Sequence, residues 1–230
     1  MNNILADSAT FGVVISLVCY GLGVYLKGKT GIAIFNPLLI SVIAVMIILT
    51  VCHIDYDTYH ASAHYLSYLL TPATVSLAIP LYLQLEKLKE NFAAIICGLG
   101  SGTLASMVCI LALSVLFKLP HETYVTLLPK SITTAIGMGV SETLGGSVTI
   151  TVAVIIITGI LGNIFAEAAL RIFRVVDPVA KGLAIGCSTH AVGTARAMEM
   201  GEIEGAMSSL AIVVTGLMTV AAASVFSMIY

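Results

Sequence analysis

The sequence predicts an all-α, polytopic integral membrane protein of about six to seven transmembrane helices, with discontinuous or re-entrant segments and a possible internal repeat. Three observations predict it. Of the 230 residues, 59% are hydrophobic and 10% charged, against about 25% charged in soluble domains. Mean hydropathy is +1.07, and apolar runs long enough to cross a bilayer recur along the chain. Several of those runs are interrupted by Pro, Gly and polar residues, which a membrane tolerates only where the backbone lines a cavity or is buried in protein. No stretch reads as a linker, so residues 1–230 are expected to form one membrane domain. The net charge of −2 gives no footprint for nucleic acid.

The first apolar segment spans residues 9–26. No Lys or Arg precedes Lys27, so the positive region of a cleaved signal peptide is missing and this segment is expected to be retained. Segment two, 32–52, opens on Asn36-Pro37, a turn or helix start. Residues 53–64 are polar and aromatic without Lys or Arg, which suits a wet interfacial loop; their three histidines are otherwise a metal motif. Residues 69–85 contain Pro72 and Pro80, each removing a backbone donor, so this run is either a discontinuous helix or a Pro-kinked one. Residues 92–117 are long enough to span, with Gly98 and Gly102 spaced for close helix contact.

The second polar embedded stretch, 127–147, holds Pro129, Lys130, Ser131, Thr133, Thr134, Gly137 and Glu142. Residues 148–165 span again and continue into Glu167 and Arg171, which stand at i, i+4 and are placed to pair. Asp177-Pro178 breaks the chain before residues 181–205, which carry Ser188, Thr189, His190, Gly193, Thr194 and Arg196. Residues 207–229 form the last span. Cys19, Cys52, Cys97, Cys109 and Cys187 show no C-x-x-C spacing and read as small hydrophobes, not disulfides or metal ligands.

Three patterns recur at nearly even spacing: Ser76 to Pro80, Thr133 to Gly137 and Thr189 to Gly193. A true repeat would let the broken segments converge near the midplane, where repeat-built transporters hold substrate. Lys27/Lys29, Lys87/Lys89 and Arg171/Arg174/Lys181 all fall on the cytoplasmic side only if residues 127–147 re-enter without crossing.

These embedded residues suit a small carboxylate. Arg196 offers a bidentate fork and Lys130 a point charge; Ser131, Thr133, Thr134, Ser188 and Thr194 offer hydroxyl donors. Broken helices with positions Pro72, Pro80, Pro129, Gly137 and Gly193 add backbone donors at helix N-termini. His190 is a further binding candidate and, with Glu142, a proton-coupling candidate. The alternatives are that Lys130 and Arg196 snorkel to the interface and that His190 is a neutral structural residue. No nucleophile elbow, zinc-protease motif, P-loop or dinucleotide fingerprint occurs, so an enzyme is not expected, and no cofactor or metal is called for.

The same stretches carry a resemblance that covers most of the chain. Phe35 to Leu39 (FNPLL), Thr71 to Tyr82 (TPATVSLAIPLY), Leu128 to Thr134 (LPKSITT), Gly159 to Gly162, Ser188 to Arg196 (STHAVGTAR) and Glu204 to Leu210 are similar to motifs of the CidB/LrgB family. Ala135 stands where that family commonly has Pro, and Ser188-Thr189 where it commonly has Ala-Ser. The resemblance implies a multi-pass protein of the bacterial inner membrane. It implies either transport of small monocarboxylates (pyruvate, lactate, glycolate or glycerate) or an antiholin-like control of murein hydrolase activity and autolysis. The second role involves a smaller holin-like membrane partner. A homodimer in the lipid bilayer is the expected assembly.

Overall fold

The computed structural model describes residues 10–30, 35, 37–69, 72, 75, 79, 82 and 85–230. It is 85% helical, without strands among the described residues. Two compact units divide it, Met1–Ser76 and Leu77–Tyr230. The breaks expected at Pro72 and Pro80 fall in 70–84, where only four isolated residues are described; Pro80, like Asn36, lies outside the described residues.

In the first unit α1 (Phe11–Thr30) packs against α2 (Pro37–Val51) and α3 (Tyr56–Ala63), and a 3-10 turn follows (His64–Leu69). The wet loop expected over 53–64 is helical from Tyr56 onward. Aromatic rings at i, i+4 explain it: Tyr56, His60, His64 and Tyr68 stack in sequence with centroids 5.5, 6.0 and 5.6 Å apart. Ser62 anchors this helix by accepting a hydrogen bond from Gly12 N at 2.7 Å. Among the described residues no group of three His, Cys, Asp or Glu side chains is placed to hold a metal.

The second unit holds α4 (Leu85–Glu90), α5 (Phe92–Phe117), α6 (His121–Leu127), α7 (Thr134–Thr143), α8 (Val148–Ile172), α9 (Pro178–Met200) and α10 (Glu202–Phe226). With α1, the helices α5, α8 and α10 are long and apolar enough to cross a membrane. α5 and α10 run parallel: Ile95 and Leu99 share a core cluster with Ala206 and Met207, and Met107 and Ile110 share another with Ala223.

The two polar embedded stretches fold as helical hairpins. In the first, α6 rises, residues 128–133 turn, and α7 returns. Thr151, in the first turns of α8, donates to Thr126 O at 2.9 Å and lies 2.7 Å from Ser141 Oγ, so both arms meet the same end of α8. α7 is about 15 Å long, half of the roughly 30 Å hydrocarbon core, so this stretch re-enters and does not cross. In the second, α9 breaks at His190, whose φ of 46° and ψ of −141° leave the helical region. Before the break, Gly182 packs on Glu204 and Met207, and Gly186 on Ser208 and Ala211. After it the order inverts: Thr194 meets Ser208 and Met198 meets Gly205. The chain therefore doubles back at His190, and each arm reaches about 15–18 Å.

The hairpins enter from opposite ends of α8. The first follows α8 from Thr151 to Ile155, against which Gly137 packs. The second meets the far end, where Ala166 and Leu170 cluster with Ile185 and Ala197. Their tips meet at mid-α8. The similar patterns at Thr133–Gly137 and Thr189–Gly193 each fall at a tip, where their glycines matter: a β-carbon on Gly137 would run into Ile155, and one on Gly193 into Thr189 Oγ1. Residues Lys89, Arg171, Arg174 and Lys181 consequently share one end of the unit, with Lys118 at the other. Two expectations need correction. Glu167 pairs across helices with Arg196, not along its own helix with Arg171. Gly102 packs closely, on Cys187, but a β-carbon on Gly98 would meet nothing within 4 Å.

Candidate functional site

Pro129 cannot donate to a helix, and it restricts the residue before it, so α6 ends and Lys130 is presented on a turn. Lys130 Nζ donates to Ser131 Oγ at 2.9 Å. Among the described residues no carboxylate pairs with it; the ion pairs are those of Arg196. Lys130 lines two cavities that flank the first arm of α9. The larger, about 810 Å³, runs between α5 and α9 from Asn91 and Asp177, at the end with the basic clusters, to Lys130 and Ser131. The smaller, about 430 Å³, lies between α8 and α9, with Thr158, Gly162, Ser188 and Thr189 in its walls. Ala184 and Ser188 border both.

Of the residues expected to bind, the structure brings Lys130, Ser131 and Ser188 to one cavity. Ser188 Oγ donates to Ala184 O at 2.7 Å and retains its lone pairs as acceptors. Thr133 and Thr134, half-buried, open α7 just beyond the turn, and neither lines either cavity. His190 is 4% exposed, and its ring faces α8. A carbonyl only accepts, so the 3.0 Å contact from Nε2 to Ile155 O fixes the proton on Nε2. Gly159 leaves room for this ring: a β-carbon there would lie 2.8 Å from its Cε1. Thr194 is fully buried, bonded to His190 O at 2.9 Å and to Ser208 Oγ at 2.7 Å. With Asn163, whose amide donates to Val192 O at 2.9 Å, it satisfies carbonyls that the break exposes.

Arg196 stands one arm away, bridging Glu167 of α8 and Glu199 of its own helix. Glu142 is exposed near the end of α7, remote from both cavities. The α5 wall of the larger cavity is formed by Gly98, Ser101, Gly102, Ala105, Ser106 and Cys109, of which the sequence marks Gly98 and Gly102 for helix contact and Cys109 as a small hydrophobe. Their small-residue stripe was a visible signal, but it reads equally well as helix contact. Ser106 Oγ is buried with no hydrogen-bond partner among the described residues.

Two short helical hairpins meeting tip to tip among helices long and apolar enough to cross a membrane define an all-α membrane protein. The chain belongs to the LrgB-like family, whose model matches residues 16–229 and so spans both units. Proteins named antiholin-like protein LrgB from Bacillus mycoides (strain KBAB4), Bacillus cereus (strain B4264) and Bacillus anthracis (strain CDC 684 / NRRL 3495) are each 36% identical to it over 217 residues. The similarity covers 94% of this chain and 94% of each relative. No solved structure matches the chain.

Proposed function

We propose that this chain is a secondary carrier of small monocarboxylates such as pyruvate, lactate, glycolate and glycerate. One observation carries the reading: Lys130, without a carboxylate partner among the described residues, stands at a hairpin tip at the inner end of a cavity reaching mid-depth. A cation at membrane depth is costly and marks an ion pathway by default. Opposed broken helices at the midplane are the arrangement in which carriers hold substrate between two gates. Lys130 supplies the charge for the carboxylate, and Ser131, which accepts from Lys130, keeps its O–H to donate to one of the oxygens. Arg196 is already compensated by two carboxylates, which favours a structural role and leaves Lys130 as the binding cation. Under the positive-inside rule the basic end faces the cytoplasm of a bacterial inner membrane.

The test is uptake of labelled pyruvate and glycolate into proteoliposomes holding this chain alone, with and without a proton gradient. Removing a charged hydrogen-bond partner from a bound carboxylate costs roughly 1.5–3 kcal/mol, so Lys130→Ala should lower uptake about ten- to a hundredfold. Uptake unaffected by Lys130→Ala sinks this site.

The names of the relatives favour a second reading, in which the chain is an antiholin-like regulator that does not transport. It controls murein hydrolase activity and autolysis through a smaller holin-like partner. Folded protein that moves neither acid but co-purifies with such a partner, and loses it in Lys130→Ala, supports the regulator over the carrier.

A further inference from the structure

We propose that Lys130 is itself the proton carrier of this site: its amine takes up a proton as the carboxylate enters and releases it as the carboxylate leaves. The inference rests on the carrier reading above and adds where the coupling proton resides.

The geometry argues it in two steps. Lys130 stands level with Thr158 and Gly162, near the middle of α8, and its Nζ has Ser131 Oγ as its protein partner. An ammonium at that depth without a counter-charge is unfavourable and the neutral amine is not; a carboxylate beside it reverses the order. Anion and proton binding are thereby linked at one atom. The balance is simple: the amine and a proton give the ammonium, which pairs with the carboxylate, so the two cross together with no net charge moved.

The surroundings leave this role open to Lys130. Cys109 of α5 and Cys187 of α9 border the larger cavity beside it and bring no carboxylate. Asp177 stands at the far end of that cavity, accepting a hydrogen bond from Ala180 N at 2.9 Å. α8 contributes no titratable group to the walls, and α10 carries its carboxylates, Glu202 and Glu204, in its first turn at the basic end. On the hairpin itself, His121, Glu122 and Glu142 are exposed on the arms, away from the tip. His190 faces the other way, with Nε2–H held by Ile155 O.

The test uses full-length protein in proteoliposomes with labelled pyruvate and glycolate. Lys130→Arg keeps a charge that does not come off. Relative to whatever exchange of internal for external acid it supports, stimulation by an inside-alkaline gradient should fall at least tenfold. Lys130→Arg that is still gradient-driven overturns the inference and leaves the carrier reading intact, as does a His190→Gln or Glu142→Gln variant that exchanges without gradient stimulation. If Lys130→Arg does not exchange, proton uptake by wild-type protein on binding pyruvate in weakly buffered detergent solution decides. About one proton per anion supports the proposal and none overturns it. Wild-type protein that neither accumulates nor exchanges either acid sinks the carrier reading itself.

Discussion

His190 sits in a backbone conformation that a non-glycine residue adopts at a cost of order 1–3 kcal/mol, and its surroundings hold it there. Its ring donates to Ile155 O, its own carbonyl accepts from Thr194, and Gly159 makes the space. His190, in sequence a binding and proton-coupling candidate or a neutral structural residue, is held by these contacts at the turn of a hairpin. Arg196 is a parallel case. Its guanidinium reads as a carboxylate fork, but the carboxylates it meets are protein ones, and Glu167 is 29 residues away, a distance no local pattern conveys. This pairing makes a prediction. Arg196→Glu places three carboxylates together and should lower both thermal stability in detergent and uptake. Glu167→Arg in the same chain should restore most of both. The ion pair is partly exposed, worth only about 0.2–1 kcal/mol, so the wild-type pairing shifts the midpoint by a few degrees and like-charge repulsion dominates the single variant. A double variant as unstable and inactive as Arg196→Glu would return Arg196 to the substrate.

At the scale of elements, the first hairpin was legible and the second only half so. Pro129 announces its own break, and the charge clusters require the 127–147 stretch to re-enter. The turn at His190 has no Pro or Gly at the position itself; only the flanking glycines hinted at non-ideal backbone. That the arms double back is a tertiary fact, decided by Gly182 and Gly186 lying against α10 and by Met198 lying against Gly205 of α10. Hydrophobic periodicity carries no direction, so it could not reveal this. The α8 face that receives the second tip depends on small residues: a β-carbon on Gly162 would run into Thr189 Cγ2, and Thr189 is buried. Gly162→Ala should therefore destabilise the protein by roughly 1–3 kcal/mol through overpacking. Gly139→Ala, where the new methyl meets nothing within 4 Å, should be neutral or stabilise by up to about 1 kcal/mol. Unfolding of the two purified variants in detergent makes the comparison; equal midpoints would mean that α8 and the hairpin are not in this close contact.

At the scale of the molecule, the second unit alternates spans and hairpins: α5, a hairpin, α8, a hairpin, α10. Because α8 reverses the direction of α5, the hairpin that follows it enters from the opposite end, so two hairpins in series present opposed tips. The same alternation gathers Lys89, Arg174 and Lys181 at one end, although they belong to segments far apart in the chain. The consequence is testable without any substrate. Thr143 closes the returning arm of the first hairpin, and Glu202 follows the returning arm of the second; both are exposed. In a chain whose five native cysteines are replaced, Thr143→Cys and Glu202→Cys should react with a membrane-impermeant maleimide from opposite faces of oriented vesicles. Glu202→Cys should label from the same face as a cysteine placed at Lys89. Ala180→Cys, on the wall of the larger cavity in the first turn of α9, should label from that face too. Its reaction should slow at least severalfold when a bound carboxylate closes the cavity, the alternation of access that opposed gates imply. Labelling of Thr143→Cys and Glu202→Cys from one common face would mean that one stretch crosses the bilayer, and the convergence of the two tips on Lys130 would be lost with it.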